Sequence, residues 1–71
     1  MLVKDFLSNN EFDVNCYCDV YDCTEKENWH EADVLLTAFC HTSNNPLELI
    51  NDYKIKYITT DGNRIVIEAT K

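Results

Sequence analysis

Six side chains of this chain are of the types that bind zinc or attack electrophilic carbon: Cys16, Cys18, Cys23, His30, Cys40 and His41. Protein zinc sites take thiolates and imidazoles in short paired spacings such as the C-x2-C knuckle. Here the cysteines run C-x-C-x4-C-x16-C, which contains no such knuckle. Cys16 and Cys18 also fall on one alternating apolar face, so packing accounts for them as small hydrophobes. A cysteine nucleophile needs a base within hydrogen-bond reach and a third group that orients the base. Cys40 and His41 are adjacent, and adjacent residues on a strand point to opposite faces. Cys23 with His30 is the pairing left, and no Gly-rich phosphate loop, G-x-S-x-G or H-E-x-x-H accompanies it. The expectation is a non-enzymatic protein without catalytic residues, metal site or cofactor; a cysteine enzyme or small zinc module is the less favoured reading.

Carboxylates are the other chemistry on offer. Glu11 to Asp33 packs eight of them, three cysteines, two tyrosines and the single tryptophan into 23 positions. Calcium binding by Asp19, Asp22, Glu25 and Glu27 would need the D-x-D-x-D-G spacing and the glycine that bends an EF-hand loop, and neither is present. What remains is Trp29 amid Asp22, Glu25, Glu27, Glu31 and Asp33, with Tyr17 and Tyr21 on an outer strand face near Asp19. Trp29 can fold back as a lid over the sheet edge, can anchor an interface, or can do both, since tryptophan is usually well buried and is also enriched at binding hot spots. The candidate partner-binding set is therefore Asp19, Tyr21, Asp22, Glu25, Glu27, Trp29, Glu31 and Asp33.

The distribution of charge narrows the partner. Residues 1–33 hold nine acids against Lys4 and Lys26, a balance of −7, while residues 34–71 hold four acids against Lys54, Lys56, Arg64 and Lys71, a balance of zero. Direct nucleic-acid binding is disfavoured, because it requires cations that displace the counterions of the phosphate backbone. A basic protein surface is the complementary partner. A solvated acidic face that only keeps a small protein in solution is the plainer account of the same residues.

At 71 residues the sequence reads as a single domain, 1–71, whose small core leaves a narrow margin of stability and invites self-association. No apolar run approaches the roughly 20 residues of a membrane span. MLVKDFLS is interrupted too early by Lys4 and Asp5 to act as a signal peptide, so a cytoplasmic location and reduced thiols are the default expectation.

The elements that must position these groups can be read from periodicity. Leu2, Val3, Phe6 and Leu7 predict a short amphipathic helix over the first eight or nine residues. Phe12, Val14, Cys16, Cys18 and Val20 alternate with Asp13, Asn15, Tyr17, Asp19 and Tyr21, which predicts a strand. Asp22 to Glu31 is a polar connection. Ala32, Val34, Leu36, Ala38 and Cys40 alternate against Asp33, Leu35, Thr37 and Phe39 as a second strand. Asn45-Pro46-Leu47-Glu48 supplies the N-cap, N1 proline and N3 acid of a helix from Pro46 to about Tyr53. The rest is a hairpin, for which a three-residue Asp61-Gly62-Asn63 loop pairs Ile55 with Ala69, Tyr57 with Ile67, Thr59 with Ile65 and Lys56 with Glu68, and leaves Ile58 and Val66 as an apolar pair on the polar face. The predicted fold is α+β, in the order α-β-β-α-β-β, with a small, mostly antiparallel sheet and helices packed on one face.

The segments VYDC (Val20 to Cys23), ENW (Glu27 to Trp29) and YIT…IVIEA (Tyr57 to Ala69) resemble short proteins of Gram-positive gut bacteria and of their phages or mobile elements, none with an established activity. In size and acidity the chain is also similar to inhibitors that imitate nucleic acid, such as anti-restriction and anti-CRISPR proteins, a likeness of charge and not of motif. No activity carries over from either likeness; the one-sided charge is what leads to the expectation of an acidic interaction protein that blocks a basic nucleic-acid-binding protein. A homo-oligomeric accessory or structural protein, assembled through a sheet edge or the Ile58 and Val66 pair, is the alternative.

Overall fold

The computed structural model describes residues 1–7, 16–39 and 50–71, with the backbone alone at 38 and 39. Helix α1 (Val3–Leu7) is followed by strand β1 (Tyr17–Asp22), a single 3-10 turn (Trp29–Glu31) and strands β2 (Asp33–Phe39), β3 (Lys54–Asp61) and β4 (Arg64–Thr70). The strands form one sheet in the order β2-β1-β4-β3. β1 pairs antiparallel with β2, and β3 with β4, while the two central strands run parallel to each other.

This corrects the predicted architecture. The sheet is mixed, with its two central strands parallel, and among the described residues the α-helical cover is the five residues of α1, not helices packed along one face. Residues 46–49 of the expected second helix lie outside the described residues. In its last part Ile50 is in 3-10 conformation and Asn51 and Asp52 form a turn, which the Tyr53 N–H closes by donating to the Ile50 carbonyl at 3.1 Å. That turn still delivers Ile50 and Tyr53 to the core, which is the work the helix was expected to do.

The core lies on one face of the sheet. Cys18 and Val20 of β1, Leu36 of β2, and Ile67 and Ala69 of β4 meet Val3, Phe6 and Leu7 of α1 and the pair Ile50 and Tyr53, with Leu35, Ile55 and Ile65 packed at the margin. Full burial of a Val or Ile side chain contributes roughly 1.5–3 kcal/mol. The start of the chain is tied to β3 before it turns into α1: the Ile55 N–H donates to the Met1 carbonyl at 2.9 Å and the Val3 N–H to the Tyr53 carbonyl at 3.1 Å. Among the described residues no helix is long and apolar enough to cross a membrane.

Two bulges explain where simple alternation fails. Val20 faces Leu36 and Tyr21 faces Val34, so Leu35 is an extra residue in β2. Leu35 and Leu36 therefore both turn toward the core, and Val34, expected inside, is 53% exposed beside Tyr21 on the other face. In the hairpin, Asp61 faces Arg64 across a two-residue Gly62-Asn63 turn, which sets Ile58 against Ile67, Thr59 against Val66 and Tyr57 against Glu68. Lys56 is then bulged out, and this restores the expected pair of Ile55 with Ala69. The other predicted pairs and the Ile58 and Val66 patch do not form. Matching apolar Ile58 to buried Ile67 outweighs the Lys56 to Glu68 pairing that the longer loop would have given.

The thiols also depart from expectation. Cys18 is fully buried, as predicted, but it is disulfide-bonded, whereas Cys16 and Cys23 are free. Cys16 precedes β1 and is half-buried, and residues 12–15 of the predicted strand lie outside the described residues.

Two outcomes test this fold. Gly62 has φ +62° with open space where a Cβ would sit, so backbone strain alone should make Gly62→Ala cost about 1–2 kcal/mol, and Gly62→Asn less, by urea unfolding. Reduction should lower unfolding stability by about 2–4 kcal/mol, and Cys18→Ala should abolish that response to reductant.

Candidate functional site

The face of the sheet opposite the core carries the polar chemistry. On it Asp19 of β1 meets Arg64 of β4, because the parallel register sets Tyr17 opposite Arg64 and leaves Asp19 two residues further along β1. The guanidinium donates twice to this carboxylate, Nε to Oδ2 and Nη2 to Oδ1, both at 2.7 Å. Thr37 of β2 donates its hydroxyl to Oδ1 at 3.0 Å, and the guanidinium also lies over the Tyr17 ring at 5.1 Å. Asp19 is buried and Arg64 half-exposed, so the pair seals the seam between the central strands. The Arg64 hydrogen bonds hold the Asp19 carboxyl below its ordinary 3.8, with burial opposing and Thr37 assisting.

Further along this face Glu68, also buried, accepts the Trp29 N–H at 3.0 Å. This bond fastens the 3-10 turn, whose start is capped by Asn28 Oδ1 accepting from the His30 N–H at 3.0 Å. Trp29 lies against Tyr21, with ring centroids 5.3 Å apart and a 50° tilt, and stacks on His30 at 4.0 Å. Half-buried Trp29 therefore lies over the central strands β1 and β4, not over the sheet edge as expected for a lid. Burial, with the Asp19 charge second, pushes the Tyr21 phenol up.

The connection from β1 to β2 is held by backbone bonds at both ends. The Cys23 N–H donates to the Ala69 carbonyl at 2.7 Å and the Lys71 N–H to the Thr24 hydroxyl at 3.1 Å. Lys56 Nζ donates to the Lys26 carbonyl at 3.0 Å. Asp22 accepts from the Thr24 N–H at 3.1 Å and from the Tyr53 hydroxyl at 3.0 Å. The Thr24 bonds, with smaller help from Tyr53, hold the Asp22 carboxyl low, and burial followed by the Asp22 bond pushes Tyr53 up.

The predicted set therefore divides. Asp19 is an internal structural charge and Asp22 is half-committed to the fold. Glu25, Glu27, Glu31 and Asp33 are exposed, and among the described residues no hydrogen bond or ion pair engages their side chains. Asp22, Glu25 and Asp33 border an open groove of about 290 Å³, which Thr24, Lys26 and Lys71 also line, so two lysines dilute its acidity. Sequence reasoning missed Arg64, Thr37 and Glu68. The one available signal was that Arg64 is the sole arginine of an acidic chain.

Cys23 is almost fully buried, and burial, with Glu68 second, pushes its thiol up. Activated thiols sit in accessible, electropositive surroundings, the opposite of this one. Among the described residues, no three His, Cys, Asp or Glu side chains gather as a metal-binding group. Comparison with protein families, with characterised proteins and with solved structures finds no match.

The Asp19 and Arg64 pair makes a pH-dependent prediction. Because the folded carboxyl titrates below its unfolded value, the pair contributes stability above the unfolded value, and that contribution is lost as pH falls through the folded one. Arg64→Ala leaves burial as the main influence on Asp19 and raises its folded pKa. Urea midpoints from about pH 2.5 to about pH 7 should then show a deficit that is largest near neutrality and narrows below about pH 4. A deficit constant with pH would refute this role.

Proposed function

We propose that this chain is a non-enzymatic interaction protein whose β1–β2 connection offers carboxylates and Trp29 to a basic surface of another protein, of the kind that otherwise binds nucleic acid. The carrying observation is the contrast between a tied backbone and untied charges: the connection is bonded at Cys23, Thr24, Lys26 and Trp29, while Glu25, Glu27, Glu31 and Asp33 project into solvent. A loop already held in one shape loses little conformational entropy on binding, and fixed carboxylates steer a cationic partner while repelling anionic ones. Trp29, propped between Tyr21 and His30, supplies apolar area beside the charges.

A phage or mobile-element inhibitor that imitates nucleic acid, of the anti-restriction or anti-CRISPR type, is the biological role this reading favours. Such a partner is met in the cytoplasm, where thiol buffers act on disulfides. Binding must then survive reduction of the Cys18 disulfide.

The test is capture from a host lysate by the wild-type chain and by the Glu25→Gln, Glu27→Gln, Glu31→Gln, Asp33→Asn variant, with Asp19 left intact to preserve the fold. The expected partner is basic, elutes with rising salt or added duplex DNA, and is retained about tenfold less by the neutralised variant. Capture indifferent to salt, DNA and neutralisation would overturn the proposal.

A further inference from the structure

The sheet has two edges, and they differ in charge and in cover. The β2 edge starts at Asp33 and directly follows the acidic connection that holds Glu25, Glu27 and Glu31. The β3 edge carries Lys54 and Lys56 against Asp61 and displays Tyr57 and Ile58, which are 59% and 41% exposed. Met1 and Leu2 cover this edge at Lys54 and Ile55, which leaves the stretch from Lys56 to Asp61.

The register determines which groups point outward. Asp61 and Arg64 close a two-residue turn and so form a hydrogen-bonded pair, and such pairs alternate along an antiparallel ladder. Tyr57 and Thr59 therefore aim their backbone groups inward at Glu68 and Val66. Ile58 and Thr60 aim theirs away from the sheet, where an added strand could take them up.

We propose that this edge binds a second copy of the chain, β3 against β3, antiparallel about a two-fold axis at Ile58. A two-fold axis normal to the sheet keeps each face on its own side, so facing residues must share a face. Centring on Ile58 meets that condition. It sets Ile58 against its own copy, Tyr57 against Thr59, and Thr60 against Lys56. Pairing ends at Thr60 and Lys56, where Met1 begins to cover the edge, and Asp61 of each copy follows next to Lys56 of the other, a complementary arrangement of charge. The result is a continuous eight-stranded sheet with β2 and the acidic connections at its two far ends. Pairing through β2 would instead bring the two acidic connections closer together.

The exposed edge is short, so association should be weak and concentration-dependent. Sedimentation from about 10 μM to about 1 mM should show the mass rising from 8.3 kDa toward twice that value. Over the same range, exchange of the Ile58 and Thr60 amides should slow. Ile58→Lys places like charges on the axis, and Thr60→Pro removes an outward N–H without touching the β4 ladder; each should leave a folded monomer by circular dichroism. Val34→Lys on the β2 edge should leave the dimer intact. A mass of 8.3 kDa at every concentration, or a dimer that resists both β3 variants or yields to Val34→Lys, would overturn the proposal.

Discussion

The parallel seam between β1 and β4 is the contact from which the other features follow, because it joins two antiparallel pairs, β1 with β2 and β3 with β4, into one sheet. Parallel pairing is slightly weaker per residue than antiparallel. Here it is reinforced on both faces. On the core face Cys18, Val20, Ile67 and Ala69 pack together. On the other, one carboxylate of β1 takes both nitrogens of the β4 arginine and the hydroxyl of Thr37 from β2, so a single polar cluster spans three strands. Burying such a pair is costly in general, and the half-exposed guanidinium moderates that cost by staying partly hydrated.

The same seam explains how the acidic connection is held. Because β4 lies beside β1, its end is in place to receive the chain as β1 finishes: Ala69 accepts from Cys23, Lys71 donates to Thr24, and Glu68 accepts from Trp29. A buried glutamate at position 68 would be hard to justify in a sheet with one solvated face. It becomes intelligible as the acceptor that fastens Trp29 over the sheet. The polar face is thus covered where the tryptophan lies and open where Tyr17, Val34 and Tyr57 stand exposed.

Much of the local structure was legible in the chain, and the errors have physical causes. The end of β1, the start of β2, the buried set of α1, the burial of Cys18 and Val20, and the existence of the closing hairpin all follow from apolar period. Alternation is a property of strands with one wet face, however, and Ile65-Val66-Ile67 is the unbroken apolar run of a strand covered on both sides. Read as such, it would have marked β4 as central and the sheet as mixed. The bulges at Leu35 and Lys56 each consume one residue and are invisible to a period of two. Asp19 was counted as surface charge because its partner is 45 residues away, and only the topology brings them together. The surface acids of the connection were located correctly, since nothing in the fold competes for them.

The division of charge along the chain becomes a division across the sheet. β1 and the connection into β2 carry Asp19, Asp22, Glu25, Glu27, Glu31 and Asp33 against Lys26, whereas β3, β4 and Lys71 set Lys54, Lys56, Arg64 and Lys71 against Asp61 and Glu68. Glu25, Glu27, Glu31 and Asp33 fall within one nine-residue stretch whose backbone is bonded at Cys23, Thr24 and Trp29, so like charges share a short connection and repel. A cationic surface relieves that repulsion at the moment of contact, and the gain fades as salt screens it. Two copies joined at their β3 edges would keep the acidic ends as far apart as the sheet permits. They would then present two such ends to a partner with repeated basic sites, where a second engagement needs no new contact chemistry and profits from high effective concentration.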